Sequence, residues 1–510
     1  MNTIAAISTP PGKGGVALIR ISGDEAIEIA SRVFVPANGT TLSDAKSRTA
    51  VYGRIVMPVS GRKTSAASKT SAASVASELS ASSKTSAASG SAETAPAAGD
   101  PNASPEEPDE IDTGLCTLFR SPHSFTGEDT AEISCHGGAL VTSTVLAAVL
   151  CAGARQALPG EFTRRAFLNG KMGLDAAEAL GSLLDAKTGE QLRLSRAGMK
   201  GILGTETESI YRALTEVLSS VFACIDYPDE DLAEMSRDQM TAAVRQIHDR
   251  LSALAATWRT GRAIMEGIPT VLVGRTNAGK SSLYNLLAGR DAAIVTDIAG
   301  TTRDVLTETL SLGRVTLRLS DTAGIRETDD PVERIGVERA LRALDESGLI
   351  LAVFDASEAL EEDDLALIAR LSEATAPVVA VRNKSDLCAK TDQTALLSAF
   401  GGHAPAAVVT VSAKTGEGLA ELTAAVEGLF IDGGLDPASD AILMGARQYA
   451  AVVRARDAVG EALVSLSRGL PADLTCDDLQ VAMSALSELD GRAVSEDVVA
   501  DIFARFCVGK

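Results

Sequence analysis

A chain of 510 residues with 47 basic and 68 acidic side chains, a formal charge of −21, is too long for a single core and too acidic to hold nucleic acid over its whole surface. Any RNA contact must be a local patch, and aromatics at 3% do not advertise a base-stacking platform. The 7 cysteines (Cys116, Cys135, Cys151, Cys224, Cys388, Cys476, Cys507) are odd in number, scattered and never paired as CxxC, which argues against a disulfide framework or a zinc site and fits a reducing cytosol.

The start, Met1-Asn2-Thr3-Ile4, lacks the basic, apolar and cleavage-site order of a signal peptide. The most apolar stretch, 139–154, is short and interrupted by Thr142, Ser143 and Thr144, so it reads as a core helix and not a membrane span. The expectation is a cytoplasmic protein of about three domains with no membrane partner.

Residues 1–60 alternate apolar runs such as Val16-Ala17-Leu18-Ile19-Arg20-Ile21 with glycine turns, then show a helical pattern from 24 to 33. This predicts a small α+β domain over 1–169. Within it, 62–109 is rich in Ser, Ala, Thr, Lys, Pro and Glu and repeats Lys-Thr-Ser-Ala-Ala-Ser at 63, 69 and 84. It has too few large apolar side chains to offset the cost of ordering, and reads as a disordered insertion in a loop between strands. The domain resumes with the strand pattern Gly114-Leu115-Cys116-Thr117-Leu118-Phe119.

From 170 to 266 the period is helical: Ile210, Leu214, Val217, Val221, Phe222 and Ile225 mark one face, and Val244, Ile247, Leu251, Leu254 and Trp258 another. The same character returns over 434–510, at Val452, Val459, Leu463 and Leu466, then Leu479, Met483 and Leu486, then Val498, Ile502 and Phe506. Neither half covers a core alone, so one all-α bundle is expected, interrupted by a separate domain. In that domain, 267–433, short apolar runs alternate with helical patterns, which predicts an α/β fold with a mainly parallel sheet and ligands at the strand C-terminal ends.

Gly274-Arg275-Thr276-Asn277-Ala278-Gly279-Lys280-Ser281 lies between a buried-strand run and a helical pattern, the order a phosphate cradle requires. Gly274 and Gly279 let backbone N–H groups turn onto phosphate oxygens, Lys280 reaches the terminal phosphates, and Ser281 offers a hydroxyl to Mg²⁺. Asp321-Thr322-Ala323-Gly324 ends a strand, as suits an aspartate that approaches Mg²⁺ through water and a glycine N–H that senses the terminal phosphate. In Asn383-Lys384-Ser385-Asp386, Asp386 can accept from the ring N–H and exocyclic amine of guanine, a donor pair adenine lacks. Ser412-Ala413-Lys414 then brings a backbone N–H toward the guanine carbonyl. The four motifs in this order specify a guanine nucleotide.

Switch I falls in 295–304, with Thr302 as the second hydroxyl on Mg²⁺. Ile325 stands where a Ras-like enzyme has the water-orienting glutamine, so hydrolysis needs another polar group. Arg326, Glu327 and Glu333 remain open for that role.

These motifs, with TPPGKGGVALIRISG at 9–23, SFTGEDTAEISCHGG at 124–138, PGEFTRRAFLNGKMGL at 159–174, TDIAGTTRD at 296–304, DTAGIRETDDPVERIG at 321–336 and the terminal Cys507-Val508-Gly509-Lys510, closely resemble the MnmE (TrmE) family of tRNA-modifying GTPases. The resemblance implies an N-terminal domain that dimerises and binds 5-formyltetrahydrofolate or a related tetrahydrofolate. Arg20, Glu132 and Lys171 would contact the folate, Lys510 would approach from the C-terminus, and Cys507 is a candidate participant in the modification. It also implies that Glu333 orients the attacking water through a bridging water. K⁺ would be held by Asn277, Thr301 and the backbone around Thr296 and Ile298, in place of an arginine finger. The family partner is the FAD-dependent MnmG (GidA), with FAD on the partner, in an assembly that adds an aminomethyl or carboxymethylaminomethyl group to the wobble uridine (position 34) of certain tRNAs.

The reading is a homodimeric, K⁺-activated GTPase with Glu333, Lys280 and Thr302 catalytic. Its GTP-binding set is Asn277, Ala278, Gly279, Lys280, Ser281, Ser282, Thr296, Thr301, Thr302, Asp321, Thr322, Ala323, Gly324, Asn383, Lys384, Asp386, Ser412, Ala413 and Lys414. The alternative is a ribosome-assembly GTPase that binds rRNA, which shares the nucleotide motifs and does not account for the folate segment or the terminal CVGK. The acidic balance leaves the tRNA surface unlocated.

Overall fold

The computed structural model describes residues 2–10, 12–58, 109–226, 235–291, 308–319, 347–388, 392–470 and 472–509. The expectations placed on 62–108, on switch I, on the DTAG segment, on Glu333 and on Lys510 lie outside the described residues. The chain forms two compact units, Met1–Lys171 with Phe503–Lys510, and Met172–Ile502.

In the first unit, alternation along the strands sorts side chains onto two faces of one sheet. Its strands are β1 (Ile4–Ile7), β2 (Val16–Ser22), β3 (Phe34–Pro36), β4 (Ala50–Val56), β5 (Glu110–Phe119), β6 (Thr130–His136) and β7 (Arg155–Gln156), in the order β3-β4-β5-β6-β2-β1-β7. Ala17, Ile19 and Ile21 of β2 join Ile133 and Cys135 of β6 under the helices Ala26–Val33 and Ala139–Cys151, which contribute Ile29, Val33, Val145 and Val149. On the other face, Phe162 of the helix Glu161–Leu168 packs on Ile4 and Ala6. The rest of that face carries Val16, Tyr52 and Leu115, which are 67%, 59% and 43% exposed. β4 and β5 pair antiparallel and Met57 N donates to Asp109 O at 2.9 Å, so both ends of 58–109 are fixed at one strand pair.

The terminal residues also belong to this unit. Val508 bridges Pro159, Gly160 N donates to Cys507 O at 3.4 Å, and Ser8 Oγ donates to Gly509 O at 3.0 Å. Gly509 has φ +101° and lies against the backbone of Ile7 and Ser8, a position with no room for a side chain.

In the second unit one core draws Ile210, Leu214 and Val217 of the helix Ile202–Asp226 and Val244, Ile247 and Leu251 of Arg237–Ala256. To these it adds Val452 and Val459 of Ala446–Ser467 and Leu479 and Leu486 of Ala472–Asp490. Segments on both sides of the nucleotide sheet thus build one bundle. Two face expectations need correction. Phe222 is 39% exposed, and in the part of Glu496–Ala504 that belongs to this unit the buried residue is Val499 while Val498 is 40% exposed. Both apolar sets keep helical spacing, so the period alone does not select between adjacent valines.

The nucleotide sheet comprises β8 (Ile268–Val273), β9 (Glu308–Leu312), β10 (Val315–Leu319), β11 (Leu349–Asp355), β12 (Val378–Asn383) and β13 (Ala407–Thr410), in the order β13-β12-β11-β8-β10-β9. All neighbours are parallel except β9 with β10. Central β11 is buried on both faces, with Leu349, Leu351 and Val353 in one cluster and Ile350, Ala352 and Phe354 in another. Successive strands leave β8 toward β10 on one side and β11 on the other, so the order reverses at β8, where α/β sheets bind ligands beyond the strand ends. Among the described residues no helix is long and apolar enough to cross a membrane.

Candidate functional site

The glycine loop leaves β8 at this reversal. Gly274 has φ +156° and packs on the carbonyl of Val353, and Gly279 has φ +94° and packs on the side-chain amide of Asn383, so neither position has room for a Cβ. Asn277 sits at φ 64°, a left-handed conformation that asparagine tolerates better than most residues. The helix Lys280–Asp291 begins at the loop's lysine, and Leu283 N donates to Gly279 O at 2.9 Å. Its first turn therefore faces whatever the loop cradles. Lys280 Nζ donates to Gly274 O and Arg275 O, both at 2.8 Å, and burial pushes its ammonium below the ordinary lysine value.

The guanine-directed segments are bonded to this loop. Asn383, 1% exposed, donates from Nδ2 to Ala278 O at 3.0 Å and accepts from Ala413 N at 3.0 Å. One amide thus ties the phosphate loop, the NKSD segment and the SAK segment into a single body. Ser412 is fully buried and donates to Asp386 Oδ1 at 2.8 Å, leaving Asp386 itself exposed. Lys384 at φ 65° pairs with Asp355 at 2.7 Å. Burial pushes the Asp355 carboxyl up, but bonds from Lys384 and Ser357 outweigh it and hold it below its ordinary value. Ser282 and Lys414 are exposed at the two rims, and Ser281 is half-buried.

Sequence reasoning missed the partners of Arg275. Its guanidinium meets Glu358, Glu361 at 2.7 Å and Asp364 at 3.5 Å, and bonding to Glu361 leads the upward shift of its pKa. The acidic run at 358–364 was legible only as surface charge. In the fold it ties the second residue of the glycine loop to the helix Glu362–Leu371.

The folate-directed residues fall in the first unit. Arg20 and Glu132 face each other directly across β2 and β6, and Arg20 Nε and Nη2 donate to one oxygen, Glu132 Oε1, at 2.9 and 2.8 Å. The Phe125 and Phe162 rings flank that guanidinium at 5.6 and 5.8 Å. Lys171 Nζ donates to Pro122 O at 2.9 Å, on the same 121–129 loop that carries Phe125. Arg20, Glu132 and Lys171 thus border one loop. Cys507 is exposed beside Gly160. Phe125 and Phe162 both lie inside quoted motifs, SFTGED and PGEFTRR, but nothing in those motifs placed either ring beside Arg20.

That loop is braced by a cluster absent from the sequence reading. Arg165, 4% exposed, donates to both Glu128 oxygens at 3.2 and 2.9 Å, to Glu161 at 3.1 Å and to Asn2 O at 2.8 Å. Ser22 Oγ donates to Glu128 at 2.8 Å, and Asn169 Nδ2 donates to Thr126 O at 2.7 Å.

Among the described residues no group of three or more His, Cys, Asp or Glu could hold a metal. The donors present at the glycine loop, the Ser281 hydroxyl and the Asn277 amide, suit hard cations that share their shell with phosphate oxygens. Thr296, Ile298, Thr301, Thr302, Asp321, Thr322, Ala323, Gly324 and Glu333 lie outside the described residues.

Two family models match the chain, one described as the MnmE helical domain over residues 174–507 and one as the GTP-binding protein TrmE N-terminus over 3–80 and 56–171. Among curated proteins, a tRNA modification GTPase MnmE of Symbiobacterium thermophilum is 40% identical over 508 residues, spanning 100% of this chain and 99% of the relative. Proteins of the same name from Moorella thermoacetica and Geobacillus kaustophilus are 37% and 38% identical over 512 and 510 residues, with the same coverage.

Proposed function

The chain belongs to the MnmE family of tRNA modification GTPases, and from that premise we propose that it hydrolyses GTP to GDP in the service of tRNA wobble-uridine modification. The observation that carries the nucleotide reading is the buried Asn383 side chain, which joins the phosphate loop to both guanine-directed segments through two hydrogen bonds. With that joint in place, Asp386 takes the guanine N–H pair, Ala413 N–H and Lys414 border the base, and Lys280 with the loop N–H groups takes the phosphates.

Ser281 and Thr302 would hold Mg²⁺, with Asp321 behind it. Asn277, Thr301 and the backbone at Thr296 and Ile298 would hold K⁺, and the two ions supply positive charge between the phosphates. Glu333 orients the attacking water through a second water. Thr322, Ala323 and Gly324 follow the terminal phosphate, and Ser282 continues the helix start behind it.

In the first unit, Arg20, Glu132 and Lys171, with Lys510, hold a tetrahydrofolate that supplies the one-carbon unit, and Cys507 sits within reach of that chemistry. The pair Arg20 and Glu132 suits this role because it uses one carboxylate oxygen and leaves the other for a pterin N–H. The uncovered sheet face at Val16, Tyr52 and Leu115 supports self-association of this unit into a homodimer. An FAD-dependent MnmG-like protein completes the assembly in the cytoplasm.

The test is turnover and binding in matched salts. GTP hydrolysis is expected to be about 100-fold faster in K⁺ than in Na⁺ at equal GTP affinity, and equal rates would refute the K⁺ assignment. Saturable binding of 5-formyltetrahydrofolate to the purified chain is expected alongside, and its absence would remove the one-carbon role while leaving the GTPase reading intact.

A further inference from the structure

In the first unit most guanidinium groups face carboxylates. Arg20 meets Glu132 at 2.8 Å, Arg32 meets Glu28 at 2.6 Å, Arg54 meets Glu110 at 3.6 Å, Arg165 meets Glu128 at 2.9 Å, and Arg155 meets Glu161. Four cations gathered on one surface differ. Lys46, Arg48, Arg120 and Lys171 are exposed, and among the described residues none has a carboxylate within 4.0 Å.

The side-chain bonds these cations make go to neutral backbone oxygens. Arg48 Nη2 donates to His123 O at 3.3 Å, Arg120 Nη2 to Ser43 O at 2.6 Å, and Lys171 Nζ to Pro122 O at 2.9 Å. Bonds from backbone N–H groups stitch the same segments together, with Arg48 N donating to the carbonyl of Leu118 at 2.7 Å and Arg120 N to the Ser47 hydroxyl at 3.3 Å. Arg48 holds φ 63°, a conformation uncommon for a residue with a side chain, and the Leu118 bond fixes it there.

Three acids lie near this ridge in sequence: Glu128 is paired with Arg165, while Asp44 accepts from the Thr41 hydroxyl and Asp129 from Ser121 N at 2.8 Å, and neither of those two reaches a cation of the ridge within 4.0 Å. The cations therefore keep their charge outward, with His123 exposed among them. On a chain of charge −21 such a ridge is a local exception, and a cluster of lysine and arginine with no carboxylate within 4.0 Å among the described residues fits a polyanion with regularly spaced charges.

We propose that Lys46, Arg48 and Arg120, next to the folate-directed Lys171, form the surface on which the phosphate backbone of the tRNA rests. The inference depends on the tRNA reading above and supplies the local patch that the acidic composition demands. Contacts of this kind set position and not sequence, which agrees with the scarcity of aromatic side chains for base stacking.

The test uses the full chain and a labelled tRNA at about 50 and about 200 mM salt. The triple variant Lys46→Gln/Arg48→Gln/Arg120→Gln is expected to lose at least about tenfold in tRNA affinity at the lower salt. Its log–log salt dependence should be shallower by about 2, since each lost phosphate contact removes roughly 0.7 to 0.9. GTP turnover should stay at the wild-type value, Arg48→Lys/Arg120→Lys should keep the wild-type slope, and Lys46→Glu should leave melting temperature and 5-formyltetrahydrofolate binding unchanged. Because Arg48 and Arg120 also brace the loop, Lys46→Glu provides a second reading. Its side chain makes no hydrogen bond or ion pair among the described residues, and it should still weaken tRNA binding several-fold.

Unchanged affinity and slope in both variants would overturn the assignment and leave the tRNA reading standing. Loss of folate binding with tRNA binding intact would overturn it too, by making the ridge an anion site for the folate. A wild-type chain that retains no tRNA at the lower salt would overturn the ridge and the tRNA reading together.

Discussion

Arg165 and Arg20 both face glutamates in the first unit, and they do different work. The Arg165 side chain is 4% exposed between Glu128 and Glu161, at 12% and 10%, and its fork is filled by three carboxylate oxygens and a backbone carbonyl. Arg20 is 18% exposed and Glu132 22%, and their contact uses one carboxylate oxygen. A filled, desolvated fork is architecture, because removing either partner strands a buried charge. A half-open pair flanked by two aromatic rings can exchange its partner for a ligand at little cost to the fold. The nucleotide sheet repeats the contrast: Asn383 is buried with both ends of its amide bonded, while exposed Asp386 has one oxygen fixed by Ser412.

The sharpest break of this comparison is Arg165→Met. It should cost about 3–5 kcal/mol in denaturant unfolding of the full chain, because Glu128 and Glu161 lose a common partner; a loss under about 1 kcal/mol would put Arg165 in the same class as Arg20. Next comes Asp386→Asn, expected to weaken GTP binding about 100-fold and to favour xanthosine triphosphate, whose carbonyl accepts where guanine's amine donates. Unchanged nucleotide preference would remove Asp386 from base recognition.

Glu132→Gln should lower 5-formyltetrahydrofolate affinity about 10- to 100-fold, the worth of a charge-assisted bond, while shifting stability by less than about 1 kcal/mol. A large stability loss with folate affinity intact would reverse the comparison. The smallest effect concerns pH. Burial raises the Glu161 carboxyl, but bonds from Arg155, Leu158 N and Arg165 outweigh it and hold its pKa below the ordinary value. The stability it adds is therefore complete above the unfolded value of about 4.3 and is lost as pH falls through the lower folded value. Glu161→Gln should flatten the acid limb of the unfolding curve below about pH 4, and an unchanged limb would show that other carboxylates dominate it.

The sequence was most legible where chemistry needs a fixed local spacing. Gly274, Gly279 and Lys280 belong to a loop whose backbone dictates residue type, and the strand runs around it are apolar because β11 and its neighbours are covered on both faces. That Arg20 and Glu132 serve one site came only from resemblance, and their pairing only from the fold, since the two are 112 positions apart and meet through strand register. Faces were less legible than elements. Val498 and Val499 satisfy the same helical period, and only packing turns Val499 inward.

By itself the sequence determined the guanine motifs, the interruption of a helical bundle by an α/β sheet, and the requirement that RNA meet a local patch on an acidic chain. These follow from spacing, periodicity and net charge, which are properties of the chain before it folds. The tertiary structure alone decided which charges are neutralised. Arg165 and Arg275 are enclosed by carboxylates, Arg20 meets one carboxylate oxygen, Arg48 and Arg120 meet only neutral oxygens, and Lys46 meets no carboxylate among the described residues. The reason is that a side chain's solvation and ion partners are set by segments distant in sequence, so identical residue types acquire opposite roles only when strand register and loop packing bring those segments together.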